Sequence, residues 1–271
     1  MNNKNNLLQQ LLMVVERENA SDLHLSPGRK PMMRVTGELI PMSSKQVLTP
    51  EDTFAILKSI VSDEQMQQVL NRHEIDFAYT FHETIRLRST AYIQQDKINL
   101  TFRVIQEVKT LEELHLPEVL KAFARKEQGL FLVVGPVGQG KSTTLAAMVD
   151  YINQERKEHI VTIENPIEYL FKDKKSIIHQ RSVGSDTISF ETGLAAAFRQ
   201  DVNVIMVGEM RNTETISTVV TAAETGHLVL STLHTNNAAQ TIDRIVDSFP
   251  GSQQNQVRAQ LAGSLIGIFS Q

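Results

Sequence analysis

The 271-residue sequence contains no cysteine. It therefore has neither a disulfide framework nor a thiolate metal site, and the absence fits a reducing compartment. No uninterrupted apolar run approaches the ~18 residues that a membrane-spanning helix needs. The apolar stretch at residues 7–15 is interrupted by Gln9 and Gln10, and no small-residue cleavage site follows it. We interpret it as an amphipathic helix and not as a signal peptide.

An excess of positive charge is also missing. The net charge is −4 at pH 7, whereas a nucleic-acid partner more often favours a basic patch, so we expect no nucleic-acid partner. Hydrophobic residues make up 41% and charged residues 21% of the chain, which is ordinary for a globular protein. At roughly 150 residues per domain, this length predicts one or two domains.

The first hundred residues have the pattern of a small α+β domain. Thr49 followed by Pro50 and two acids predicts the start of a helix. Alternating apolar residues then predict three strands, near residues 75–79, 85–93 and 98–104. The pattern changes at about residue 105, and a capping-box sequence at residues 110–113 predicts a new helix. We place the domains at 1–108 and 109–271.

Three glycines, a lysine and a serine are crowded into "GPVGQGKS" at residues 135–142. A continuous apolar run at residues 130–134 precedes this segment and predicts a buried parallel strand; a helical pattern follows it. Strand, glycine-rich loop and helix are the context that a P-loop requires. Its backbone N–H groups and helix N-terminus bind phosphate. Lys141 would reach the β- and γ-phosphates and Ser142 would ligate Mg²⁺.

Further apolar runs at residues 160–163, 204–207 and 228–230 predict more buried strands, separated by helices. This alternation indicates a doubly wound α/β domain. Glu164, Glu209 and His234 follow the carboxyl ends of these strands, where open α/β sheets bind ligands. Glu209 has the position of a Walker-B acid, which holds Mg²⁺ or polarises the attacking water, and Glu164 could share that role. Taken alone, His234 could equally be a structural histidine.

Five segments together resemble the type IV pilus retraction ATPases, the PilT-like members of the type II/IV secretion ATPase superfamily. "SDLHLSPGRKPMMRVTGEL" at 21–39 resembles the opening of their N-terminal domain, and "GPVGQGKSTTLAAMVDYIN" is similar to their Walker A motif and first helix. "TIENPIEYL" at 162–170, "VGEMRNTETI" at 207–216 and "TAAETGHLVLSTLHTNNAAQTIDRI" at 221–245 resemble their aspartate box, atypical Walker B motif and histidine box.

The resemblance implies a PAS-like N-terminal domain, a RecA-like P-loop NTPase domain and a homo-hexameric ring that binds ATP and Mg²⁺ between subunits. It assigns catalytic roles to Glu209, Glu164 and His234, with His227 beside His234 in the nucleotide site, and metal ligation to Ser142 and Glu209. Arg88, Arg103 and Arg86 would project to a nucleotide across the ring. The cofactor-binding residues are Gly135, Pro136, Val137, Gly138, Gln139, Gly140, Lys141, Ser142, Thr143, His227 and Arg86.

The sequence departs from the family pattern at several positions. Asn165, Asn203 and Asn212 stand where acids are usual, which predicts weaker activity. A third arginine region reads Gln-Asp-Lys at residues 95–97. An apolar helical stripe, Val257, Leu261, Leu265 and Ile268, runs to the last residue, where family members continue for several more helices, so we expect a truncated C-terminus.

The function that the resemblance implies is a cytoplasmic motor at the inner-membrane face. It would hydrolyse ATP to power pilus retraction and twitching motility, in contact with an inner-membrane platform protein and with other pilus ATPases. The alternatives are an extension or type II secretion ATPase, against which the short N-terminal region and the lack of cysteine argue, and an accessory ring subunit that hydrolyses ATP weakly.

Overall fold

Two β-sheets organise the chain, one antiparallel and one parallel. The structure, a computed structural model, describes residues 5–82, 85–105 and 107–271. The chain divides into two compact units, Met1–Gln106 and Glu107–Gln271. Among the described residues, no helix combines the length and the apolar character needed to cross a bilayer.

The first unit is a six-stranded antiparallel sheet with three helices. Its strands have the order β3-β2-β1-β6-β5-β4, and apolar residues of the helices and of one face of the sheet form its core. The helices are α1 Asn5–Arg17, α2 Pro50–Ile60 and α3 Asp63–Arg72; the strands are β1 Asp22–Leu25, β2 Met32–Val35, β3 Glu38–Pro41, β4 Glu74–Phe81, β5 Ile85–Gln94 and β6 Lys97–Val104.

Local sequence signals explain these boundaries. Helix α2 begins as predicted, because the Thr49 hydroxyl accepts a hydrogen bond from the Asp52 N–H and the Asp52 carboxylate accepts one from the Thr49 N–H. Strands β5 and β6 form a hairpin whose two turn residues, Gln95 and Asp96, both have positive φ. The turn therefore occupies the region where the third arginine of the family pattern is replaced.

The second unit is a parallel sheet with helices on both faces. Its strands have the order β12-β7-β11-β10-β8-β9. The helices are α4 Val119–Ala124, α5 Lys141–Glu155, α6 Phe190–Ala197, α7 Thr213–Glu224, α8 Ala238–Asp247 and α9 Gly251–Ser264; the strands are β7 Gly129–Val134, β8 His159–Glu164, β9 Ile177–Ser182, β10 Val204–Val207, β11 Leu228–Leu233 and β12 Leu265–Ser270.

The central strand β7 shows why its sequence is apolar throughout. Leu130, Leu132 and Val134 belong to the core on the side of α6 to α9. Phe131 and Val133 face the other core, which α4 and α5 cover. Because both faces are buried, every residue of the strand is apolar or glycine. The predicted α/β class is confirmed.

One predicted helix is wrong, and another is shorter than predicted. The capping-box bonds between Thr110 and Glu113 form, but they close only a turn: His115 adopts a positive φ and Pro117 follows, so the helix begins at Val119. The predicted apolar stripe through Leu265 and Ile268 also ends early. Helix α9 stops at Ser264, and the next six residues form β12, which pairs in parallel with β7.

Candidate functional site: a P-loop at the carboxyl edge of the parallel sheet

The glycine-rich loop connects the end of β7 to the first turn of α5. Gly138 and Gly140 have φ values of 84° and 85°, a left-handed conformation that other residues rarely adopt. These two glycines let the loop turn tightly into α5, whose N-terminus offers unpaired N–H groups to a phosphate. The exposed Ser142 lies in the first turn of α5. The loop and its flanking elements therefore fit a nucleotide phosphate.

Lys141 is held inside this loop. Its side-chain ammonium donates hydrogen bonds to the carbonyl oxygens of Gly135 and Pro136, at 2.9 and 2.8 Å. Burial lowers the pKa of the Lys141 ammonium, while the carboxylates of Glu209 and Glu168 oppose that shift. The lysine thus has a fixed position from which its charge can reach a phosphate above the loop.

Strand order brings the other candidates to the same edge of the sheet. β11 lies beside β7, β10 follows and β8 comes next, with neighbouring strands about 4.8 Å apart. His234, Glu209 and Glu164 are located at the carboxyl ends of these three strands in that order. Their distance from the P-loop strand therefore increases from His234 to Glu209 to Glu164.

His234 links the P-loop lysine to the predicted Walker-B acid. Its Nδ1 lies 3.4 Å from the Lys141 Nζ, and its Nε2 lies 3.3 Å from the Glu209 Oε2. An ammonium can only donate, so Nδ1 of His234 accepts and Nε2 carries the proton that it donates to Glu209. The contacts place His234 between the P-loop lysine and the predicted Walker-B acid.

Arg211 contacts the same acid, and the sequence analysis missed it. Its Nη2 forms an ion pair with the Glu209 Oε1 at 2.7 Å, so each carboxylate oxygen of Glu209 has a partner. Glu209, 15% exposed at its side chain, is held between a cationic guanidinium and the imidazole of His234. The sequence contained one signal for this contact: Arg211 lies two residues after Glu209, just beyond β10.

Glu164 is more deeply buried than Glu209. Its Oε1 accepts hydrogen bonds from the Thr162 hydroxyl at 2.6 Å and the Gln180 amide at 3.4 Å, and its Oε2 accepts one from the Glu168 N–H at 3.3 Å. Burial raises the pKa of Glu164 to about 7, although these bonds oppose the shift. The carboxyl is therefore poised between its neutral and charged forms near neutral pH.

A second missed residue joins the P-loop helix to the segment after Glu164. The hydroxyls of Tyr169 and Thr143 lie 2.7 Å apart, and the Gln180 amide donates to the Tyr169 carbonyl oxygen at 2.7 Å. Gln180 thus holds both this segment and the Glu164 carboxylate. The predicted cofactor-binding residue Thr143 is in this way connected to the buried glutamate.

His227 does not lie beside His234, and that prediction is wrong for a single subunit. It precedes β11, whereas His234 follows it, so the two are separated by roughly 20 Å along the strand. Its Nδ1 lies 3.1 Å from the Ala222 carbonyl oxygen, and its ring packs edge-on against Phe198. These contacts explain His227 as part of the packing at the opposite edge of the sheet.

The three predicted arginines all lie in the first unit. Arg86 and Arg88 are on β5 and share one face of the sheet, because they are two residues apart. Arg103 is on β6, directly opposite Arg88, and its Nε donates to the Asp22 Oδ1 at 2.8 Å.

Two of the three unusual asparagines have structural partners. The Asn203 side chain accepts a hydrogen bond from the His159 N–H at 2.9 Å. Asn212 caps α7 by accepting from the Thr215 N–H, and its amide donates to the Glu191 carboxylate at 3.0 Å. An acid at position 212 would face that carboxylate. Asn165 is exposed.

The donor set also fits a magnesium ion. Within the described ranges, no group of three or more histidine and acidic side chains forms a cluster suited to a metal. Mg²⁺ usually takes one or two protein ligands and completes its shell with phosphate oxygens and water. A serine hydroxyl beside the P-loop and one nearby carboxylate are such ligands.

Comparison with known proteins identifies the family. Residues 2–271 match the family described as "Type II/IV secretion system protein". The chain belongs to this family. It is 44% identical over 270 residues to the type IV pilus retraction ATPase PilT of Pseudomonas aeruginosa, covering 97% of this chain and 77% of that protein. It is 43% identical over 242 residues to a twitching motility protein of Neisseria gonorrhoeae, covering 89% and 64%.

A solved structure gives the same result for the fold. The crystal structure of the pilus retraction motor PilT with bound ADP matches with a TM-score of 0.92 at 44% identity, covering 96% of this chain and 76% of that one. Within its family, the chain is therefore a PilT-like ATPase with a P-loop nucleotide site. The family resemblance read from the sequence is confirmed.

Proposed function

We propose that this PilT-like ATPase hydrolyses Mg-ATP to power retraction of type IV pili, and so twitching motility. The observation that carries the proposal is the contact series from Lys141 through His234 to Glu209 at the P-loop. It connects the group that binds the phosphate with the acid suited to orient water. We propose the type IV pilus as the structure that is moved because the similar proteins are named as a pilus retraction ATPase and a twitching motility protein.

Each residue has a defined role in the proposed reaction. Lys141 leaves the loop carbonyls to bind the β- and γ-phosphates and stabilises the charge that develops on the transferred group. Ser142 and Glu209 would hold Mg²⁺, which would neutralise phosphate charge when bound. Glu209 also orients the attacking water. His234 senses the γ-phosphate because it contacts both Lys141 and Glu209. Glu164 is the second candidate base.

The assembly is part of the proposal. Six subunits form a ring, and Arg86, Arg88 and Arg103 supply positive charge to the nucleotide of a neighbour, since a phosphoryl transition state gains much from an arginine delivered in trans. The first unit is a PAS-like domain and the second a RecA-like one. The ring works in the cytoplasm against an inner-membrane platform protein, together with other pilus ATPases.

Replacing the P-loop lysine tests the enzymatic part. Lys141→Ala should abolish steady-state phosphate release at saturating Mg-ATP, because no other described side chain donates a positive charge from within the loop. Exposed Lys126→Ala is the matched control and should keep the wild-type rate. A near-native rate for Lys141→Ala would refute the P-loop assignment.

The biological part is tested by deleting the gene. Loss of a retraction motor leaves cells with pili but unable to twitch, whereas loss of an extension or secretion ATPase leaves them without pili or secretion. The phosphate-release assay tests the remaining alternative, an accessory subunit. Such a subunit would bind ATP but release little phosphate. Wild-type turnover well above that of Lys141→Ala excludes it.

A further inference from the structure

The sheet of the first unit aligns four charged residues in one row. Arg34 is opposite Asp22, Asp22 is opposite Arg103, and Arg103 is opposite Arg88. Residues directly opposite each other on neighbouring strands lie on the same face. Three arginines and one carboxylate therefore cross β2, β1, β6 and β5 side by side.

Asp22 is the buried centre of this row. The residue is only 3% exposed; its Oδ1 accepts from the Arg103 Nε at 2.8 Å, and its Oδ2 accepts from the Ser21 hydroxyl at 2.8 Å. The Arg34 Nε lies 3.7 Å from the Oδ2. Burial alone would raise the pKa of Asp22, but the hydrogen bonds from Arg103 and Ser21 outweigh it and lower the pKa. The carboxylate is thus a charged, fixed anchor.

Asp22 holds Arg103 by one nitrogen only. The contact is to Nε, at the stem end of the guanidinium, and the Arg103 side chain is 64% exposed. In the part of the chain that the structure describes, neither of its two terminal nitrogens donates a hydrogen bond. Those nitrogens form the fork that binds two phosphate oxygens at once. Anchoring the Nε fixes the direction of the fork and reduces the entropy lost on binding.

Arg86 and Arg88 have no such anchor. Within the described ranges, neither has a carboxylate partner, and the Nε of Arg86 is buried without a hydrogen-bond partner. Among the contacts of the described residues, Arg103 is therefore the one of the three predicted arginines whose guanidinium a carboxylate orients.

We propose that Asp22 is a positioning residue that holds the Arg103 guanidinium for a nucleotide phosphate of a neighbouring subunit. The inference rests on the proposed shared site and adds two points to it: which arginine is delivered, and what orients it. Asp22 acts only through Arg103 and touches no substrate.

Asp22→Asn in the full chain tests the inference. The amide keeps the shape and one acceptor but removes the charge, so we expect kcat to fall on the order of 10- to 100-fold through misplacement of the fork. ATP binding to the P-loop should be unchanged. Asp76→Asn is the matched control: this exposed aspartate on the same sheet accepts from the Thr90 hydroxyl, and its variant should keep the wild-type rate.

Mixing variants assigns Asp22 to one side of the shared site. Asp22→Asn mixed with Glu209→Gln should regain activity, because some interfaces pair an intact arginine side with an intact P-loop. Asp22→Asn mixed with Arg103→Ala should stay inactive, since both lack the arginine side. Arg103→Ala mixed with Glu209→Gln is the reference, and fluorescence transfer between labelled subunits verifies exchange.

The outcomes separate the two proposals. If the reference mixture stays inactive although subunits exchange, the shared site itself fails. If the reference mixture regains activity while Asp22→Asn is as active as wild type, only the role of Asp22 is overturned. If Asp22→Asn unfolds at a lower temperature than wild type, Arg103→Lys is the deciding variant. The lysine keeps the ion pair with Asp22 but has no fork, so its activity should be as low as that of Arg103→Ala. Wild-type activity of Arg103→Lys would contradict the inference.

Discussion

Two glutamates of this site differ in burial, and this difference separates their chemistry. Glu209 is partnered by Arg211 and His234, so a cation supports its charge. Glu164 is surrounded by neutral donors, and burial raises its pKa to about 7 from an ordinary value of 4.5. At the residue scale, Glu209 has a cationic partner, whereas the charge of Glu164 is costly because the carboxyl is buried among neutral donors.

That cost predicts how stability depends on pH. Between pH 4.5 and 7, Glu164 ionises in the unfolded chain and stays protonated in the folded one, so stability falls as pH rises through this window. The full penalty is about 3 kcal/mol above pH 7. Glu164→Gln removes it, so urea unfolding should show the variant gaining stability relative to wild type from pH 5 to pH 8.

The exposed Glu127→Gln serves as the control for this series, and its free energy of unfolding should follow wild type at every pH. A difference between Glu164→Gln and wild type that stays constant from pH 5 to pH 8 would contradict the burial-driven shift.

At the scale of single elements, α7 explains why an asparagine replaces an acid. Asn212 caps the helix and donates to Glu191, whose pKa is lowered to about 2, chiefly by the Thr215 hydroxyl. Asp is as good an N-cap as Asn, but here it would place a second carboxylate against Glu191. The sequence pattern suggested a weakened catalytic site at this position, whereas the contacts show a helix cap.

Two substitutions at the cap should separate these effects. Asn212→Ala should lower the free energy of unfolding by about 1 kcal/mol at all pH values, because the cap is lost. Asn212→Asp should destabilise at pH 7 and recover as the pH falls, because the charge of Glu191 raises the pKa of the introduced carboxyl, which is then protonated first. Urea unfolding at pH 7 and pH 4 measures both; an Asn212→Asp variant more stable than wild type at pH 7 would contradict the interpretation.

The sequence predicted those elements whose signals are local. β7 and β10 are short runs of apolar residues and glycine, and β8 and β11 each contain a short apolar segment; the P-loop motif predicted the strand, loop and helix around it. The apolar spacing of the residues in β12 also suits a helical face, and only the pairing of β12 with β7 decides between helix and strand. The predicted position of His227 beside His234 is wrong because the two residues flank β11. Residues at the two ends of one strand are separated by the length of that strand. The Arg211 and Asp22 contacts depend on side-chain geometry that no motif states.

At the scale of the whole molecule, the proposed groups lie in both units of the chain. The second unit, with the parallel sheet, holds the P-loop and Glu209, and the first unit, with the antiparallel sheet, holds Arg103 on its Asp22 anchor. Neither unit alone contains all the groups that we assign to hydrolysis, and we propose that in the active ring one subunit completes the site of another.

We propose that Glu209, which His234 connects to the P-loop lysine, drives hydrolysis. The most direct test compares Glu209→Gln with Glu164→Gln in two assays, ATP binding and steady-state phosphate release. Glu209→Gln should bind ATP as wild type does and lose turnover by a factor of about 100 or more, while Glu164→Gln should retain a larger share of it. If Glu164→Gln proves far more damaging than Glu209→Gln, the catalytic base is Glu164 and the assignment of Glu209 is wrong.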